Sequence, residues 1–125
     1  MMRDSKMWTW HVLAGLVILV FLGLHMVIMH LDAVVGLFNA PGTAPIDWAN
    51  VVARGKTIFF PVTYIVLLGA ALFHGLYGLR NILFELNPSP GLKRFLGVVI
   101  GLVGWGLFIY GSWAAVASMT LARSL

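Results

Sequence analysis

Residues Thr57 to Phe84 read TIFFPVTYIVLLGAALFHGLYGLRNILF. Arg80 is the lone formal charge in this run, and its apolar length exceeds the roughly 20 residues a helix needs to cross a ~30 Å hydrocarbon core. The stretch is therefore expected to be a tilted transmembrane helix. Two further runs, Trp8 to Leu37 and Phe95 to Leu121, are long and apolar enough to meet the same criterion. Together they predict an all-α integral membrane bundle of three transmembrane helices, one membrane-anchor domain over residues 1–125, with helices at about 8–37, 57–84 and 95–121.

Composition supports that class. Of 125 residues, 61% are hydrophobic and only 10% charged, and mean hydropathy is +0.97, whereas a soluble domain carries about a quarter of its residues as charges. The formal charge of +4 comes from cations at the ends of apolar runs rather than from a basic patch. That favours bilayer anchoring and argues against nucleic acid as a partner. The chain has no cysteine, which excludes a disulfide framework, an iron–sulfur cluster, a thiolate-ligated or c-type haem and a catalytic thiol. Arg3 and Lys6 precede the first run as in an export signal, but the run is far longer than a signal h-region of about 7–15 residues. It also holds His11, His25 and His30.

The linkers agree with three spans. Between Asn39 and Asp47, Pro41 and Pro45 remove donors and Gly42 disfavours a helix, so this is a surface loop, followed by a short interfacial helix over Asn50 to Lys56. Asn87-Pro-Ser-Pro-Gly91 is a tighter break that makes helices two and three antiparallel neighbours. Arg3, Lys6, Arg80, Lys93 and Arg94 then fall on one side, and Arg54, Lys56 and Arg123 on the other. The imbalance predicts an inside N-terminus.

An imidazole in a bilayer needs a partner, so each histidine is a functional candidate. His11 lies within a turn of the surface, where a hydrated ring is unremarkable. His30 is turned by about 140° from His25 on a helix and nears the far surface beside Asp32, a weaker candidate. His25 and His74 are the deep pair. Counted from Trp8, His25 is roughly 25 Å along helix one, and His74 is roughly 15 Å before the end of helix two at Phe84. An axial offset of roughly 10 Å follows. One haem held by both would need them level, so the spacing points to two cofactor sites, or to one ligand and one structural histidine.

Around His74, Gly75 and Gly78 leave space for a flat macrocycle or for a packed helix, two readings the residues weigh equally. Arg80 stands where a cation meets a haem propionate, a quinone oxygen or a lipid phosphate. Helix three has neither histidine nor charge before Arg123, and Gly97, Gly101, Gly104 and Gly111 give it a packing surface. Trp8, Trp10, Trp48 and Trp113 suit interface anchors. No mid-depth acid suggests an ion carrier: Asp32, Asp47 and Glu85 all fall near a surface.

The run from Gly15 to Met26, containing His25, resembles the first transmembrane segment of the dihaem cytochrome b anchors of succinate:quinone and fumarate:quinone oxidoreductases. The run Leu72 to Glu85, containing His74 and Arg80, resembles their second segment, in which the histidine is a haem ligand and an arginine six residues later is common. It is equally similar to the small hydrophobic anchor of the two-anchor, monohaem enzymes. Their pattern is a histidine, a glycine at +4 and an acid at +11 beside a quinone-site tyrosine. Gly78 and Glu85 match that pattern, while Leu86 stands where the tyrosine would be. The resemblance spans about two thirds of the chain.

What the resemblance implies is a succinate dehydrogenase or fumarate reductase anchor in a bacterial or archaeal cytoplasmic membrane, itself performing no succinate chemistry. It implies half of a split dihaem anchor that passes electrons between iron–sulfur centres and membrane quinone, with haem b, one or two, His25 and His74 as axial iron ligands and quinone as substrate. Arg80 and Lys93 or Arg94 would lie near the propionates or quinone, and His11 is a further quinone-site candidate. The implied partners are a second membrane anchor subunit that completes the ligand sets, an iron–sulfur subunit, a flavoprotein subunit and lipid. A monohaem anchor using only His74, and a haem-free scaffold or small transport subunit, remain as alternatives.

Overall fold

The computed structural model describes residues 2–31, 39 and 42–125, with side chains from residue 5 onward. Helix α1 runs Met2–Met26 and passes into a π-helical turn, Val27–Leu31. A short helix α2 spans Trp48–Gly55, α3 spans Phe59–Glu85 and α4 spans Pro90–Ser124. Among the described residues there is no strand. Ser5–Leu31, Phe59–Glu85 and Pro90–Ser124 are each long and apolar enough to cross a membrane.

Local chemistry sets the boundaries. Before α4, the Ser89 side chain accepts a hydrogen bond from the Leu92 amide at 3.3 Å and Pro90 opens the helix, where its missing donor costs nothing. The preceding turn puts Asn87 at φ 53°, a left-handed conformation that asparagine tolerates, and the Asn87 amide returns to the Phe84 carbonyl at 3.1 Å. Helix α4 thus starts earlier than the apolar run suggests, because the Ser-Pro start signal, not hydropathy, places its first turn. Pro61 lies in the first turn of α3, where a proline is harmless. Helix α1 likewise begins at Met2 rather than near Trp8, since its polar first residues remain helical outside the apolar run.

Helix α3 is the centre of the arrangement. It packs along α1 on one side and α4 on the other, and among the described residues α1 and α4 do not touch. The three spans form an antiparallel row, so the interior is small: among the described residues the buried apolar side chains are Ala14, Ile28, Phe60, Pro61 and Ala122. Large apolar groups point outward instead, with Leu102, Trp105 and Ile109 all more than 60% exposed on α4. That is the pattern expected where hydrocarbon is the solvent and helices associate through close packing rather than water exclusion. Gly104 lies against Leu76 and Gly111 against Leu68, each with no room for a Cβ. Gly97 and Gly101 face open space, so only part of the small-residue surface of α4 is used within the chain.

The expected interfacial helix is α2, held by a polar loop. Asn50 Nδ2 donates to Thr43 Oγ1 at 2.7 Å and to the Ala44 carbonyl at 2.8 Å, and Asp47 Oδ2 accepts from the Ala44 amide at 2.8 Å. Arg54 is buried and donates to Asn39 Oδ1 and to the Pro45 carbonyl, the latter at 2.6 Å. The loop is latched to the end of α4, where Gly55 meets Ala122 and Arg123 Nε donates to the Lys56 carbonyl at 3.1 Å.

Candidate functional site

The α1–α3 seam brings together two histidines that sequence spacing treats separately. The rings of His11 and His74 stack with centroids 4.1 Å apart and planes inclined by 6°. Glycines on the opposing helices make room for them. A Cβ on Gly15 would meet His74 Cε1 at 3.1 Å, and one on Gly78 would meet His11 Cε1 at 3.3 Å. Gly75, in contrast, faces nothing within 4 Å. The space at Gly78 is thus filled by a neighbouring helix's ring, and the opening left by Gly75 lies elsewhere.

His74 Nδ1 lies 3.0 Å from the main-chain carbonyl oxygen of His11. A carbonyl can only accept, so Nδ1 is the donor, and in the neutral ring Nε2 is the nitrogen that holds the lone pair. No other hydrogen bond to His74 occurs among the described residues, and Nε2 is not sealed from its surroundings. An imidazole anchored through Nδ1–H to a carbonyl, with Nε2 available, is how a metal-ligating histidine is oriented. His11 differs, since its Nδ1 is buried without a partner. Parallel stacking also prevents the two rings from facing one metal from opposite sides, so at most one of them could be an axial ligand to a given iron in this arrangement. Tyr77, which the sequence did not single out, completes the cluster with its ring 5.3 Å from that of His11.

His25 occupies the same seam further along. Its ring meets Tyr64 edge-on at 6.0 Å, in a small pocket with Phe21, Leu24, Ile28 and Phe60, and among the described residues no hydrogen bond fixes its tautomer. Since His11 is level with His74 and His25 with Tyr64, the axial separation of His25 and His74 is about 15–20 Å at 1.5 Å per residue. This exceeds the offset of roughly 10 Å expected from sequence. The earlier start of α1 is the reason, because Trp8 is not its inner end. His30 is exposed at the end of the π turn. Its expected neighbour Asp32 lies outside the described residues, as does Pro41 of the loop.

Arg80 stacks over Phe84, its guanidinium carbon 4.3 Å from the ring centroid, and Lys93 Nζ lies 6.0 Å from the same centroid. Neither meets a carboxylate among the described residues. Arg80 borders two openings. A polar cleft between the start of α1 and the end of α3 is formed by Ser5, Trp8, Thr9, Tyr77, Arg80 and Asn81. An apolar groove between α3 and α4 lies on the other side. His74 lines neither. Among the described residues no group of three or more His, Asp or Glu side chains could hold a metal ion unaided. A metal centre among the described residues would need ligands from beyond them, such as a prosthetic group or another chain.

Comparison with known proteins places this geometry in context. The chain is 27% identical over 109 residues to a protein of Thermoplasma acidophilum named succinate dehydrogenase hydrophobic membrane anchor subunit. The alignment covers 86% of this chain and 82% of that one. No protein-family profile matches the chain, and no solved structure matches it. The similarity therefore runs through all three spans rather than through a single histidine motif.

Proposed function

We propose that this chain is a membrane anchor subunit of a succinate dehydrogenase-type complex that holds haem b through His74 and lies on the electron path between iron–sulfur centres and membrane quinone. The observation that carries the reading is the His74 Nδ1 bond to the His11 carbonyl at 3.0 Å, which leaves Nε2 free to ligate. The similarity along 86% of the chain to a protein named as such an anchor supports the complex. Partners would be a second anchor subunit supplying the opposite axial ligand, an iron–sulfur subunit and a flavoprotein subunit. The bound haem would supply one-electron transfer. This chain's own residues would fix the ligand's tautomer and ring plane, exclude water from the seam, and offer Arg80 and Tyr77 toward a quinone in the polar cleft, with the His11 ring packed behind Tyr77.

The N-terminus, Arg80, Lys93 and Arg94 share one end of the row, and under this reading that end faces the cytoplasm. A dihaem version, with His25 ligating a second haem, is favoured by one observation: His25 and His74 are about 15–20 Å apart along the row, too far for one site. Among the described residues the His25 ring has an edge-on contact with Tyr64 and no anchoring hydrogen bond, which favours a single haem from this chain.

A dithionite-reduced minus oxidised visible spectrum of the purified complex, with haem counted per copy of this chain, tests both versions. His74→Ala is expected to abolish a b-type signal. If His25→Ala removes a second, distinct haem, the dihaem version holds. Wild-type protein with no haem refutes the cofactor reading and leaves a packing scaffold.

A further inference from the structure

The groove between α3 and α4 has a volume of about 440 Å³, is almost wholly apolar and is not used by the histidine cluster. Its floor includes Gly97 and Gly101, which face open space, and its walls carry Phe73, Trp105 and Phe108. It extends along α3 from Gly69 to Arg80, about 16 Å at 1.5 Å per residue. That matches the ~15 Å hydrocarbon depth of a single leaflet, half of a ~30 Å core.

One end of the groove is positive. Arg80 borders it and shares the Phe84 ring with Lys93, and neither cation has a carboxylate partner among the described residues. Lys93 also sits in the first turns of α4, where the positive end of the helix dipole disfavours a cation unless an anion is near. Two cations and a helix N-terminus at headgroup depth, joined to a leaflet-deep apolar channel, match a molecule with an anionic head and a long hydrocarbon tail to lay in the groove.

The geometry points to a dedicated anionic phospholipid site: an acyl chain lies over Gly97 and Gly101, and its phosphate is held by Lys93 and Arg80. The reasoning is independent of haem. Native mass spectrometry tests it on the chain purified in mild detergent with its co-purifying subunits, delipidated and then offered phosphatidylglycerol or phosphatidylcholine of equal chain length. Wild type is expected to retain phosphatidylglycerol at least tenfold more than phosphatidylcholine. Lys93→Gln should bring the two lipids level. Gly101→Leu, whose side chain enters open space and so need not disturb the fold, should lose both. Unchanged phosphatidylglycerol retention in Gly101→Leu overturns the proposal. So does release of a co-purifying subunit by that variant, which makes the groove a protein interface, or loss of its visible absorbance, which makes it a cofactor site. Haem content of Lys93→Gln is read separately, so failure of the lipid site and failure of the anchor reading are distinguishable.

Discussion

Replacing Gly15 with alanine should separate ligand geometry from fold stability. The added Cβ would lie 3.1 Å from His74 Cε1 and 3.3 Å from Nδ1, so the ring must yield by a few tenths of an ångström. The Nδ1 bond to the His11 carbonyl starts at 3.0 Å, and such a shift carries it toward the limit of a useful hydrogen bond. Weakening it costs about 0.5–1.5 kcal/mol, while alanine in place of a mid-helix glycine returns about 1 kcal/mol. Net stability should therefore stay within about 1 kcal/mol of wild type. If His74 ligates haem as proposed, function should not stay level, because disturbing the partner that orients a metal-ligating histidine typically lowers affinity about 10- to 100-fold. The assay is haem retention and midpoint potential by spectroelectrochemistry, run beside a thermal melt in detergent. Gly75→Ala is the control, since a Cβ there meets nothing within 4 Å. If Gly15→Ala keeps wild-type haem affinity and potential, or if Gly75→Ala is the more damaging change, the orienting role assigned to the His11 carbonyl is wrong.

Other consequences are simpler. Gly55→Ala places a Cβ 2.8 Å from that of Ala122, which cannot rotate away. A loss of about 1–3 kcal/mol is expected, read as faster hydrogen exchange in α2 and at the end of α4. Gly111→Ala meets the flexible end of Leu68, so its cost in a detergent melt should fall at the low end of that about 1–3 kcal/mol range. Arg54→Ala removes the donor to Asn39 and to the Pro45 carbonyl from a buried site, and about 1.5–3 kcal/mol per charged bond is at stake. Faster proteolysis of the loop before α2 is the expected result. His30→Ala, at an exposed ring, should leave the visible spectrum untouched.

The three spans were legible because length and apolarity alone identify a helix in hydrocarbon. Their ends were not, since Met2 to Met7 are helical outside the apolar run and Pro90 to Arg94 are helical through the Ser89 cap and the Pro90 start. Lateral partners were harder still. A helix apolar on every side has no stripe to say which face meets protein, so nothing in the sequence set His11 against His74 rather than against lipid. Gly15 and Gly78 were visible as small residues, but the ring each one accommodates belongs to the other helix and appears only with packing. Arg54 was read as a surface cation for topology, and its burial under Asn39 and Pro45 required the folded loop.

Because α1 and α4 share no contact among the described residues, the two seams between spans are connected in series through the backbone of α3, apart from the latch of α2 on the end of α4. Energetically such an object is close to a sum. Strain introduced at Gly15 on one seam and at Gly111 on the other should add to within about 0.3–0.5 kcal/mol in the double variant. The ring-bearing seam and the glycine-floored seam can then drift independently over evolutionary time, with α3 alone obliged to satisfy both.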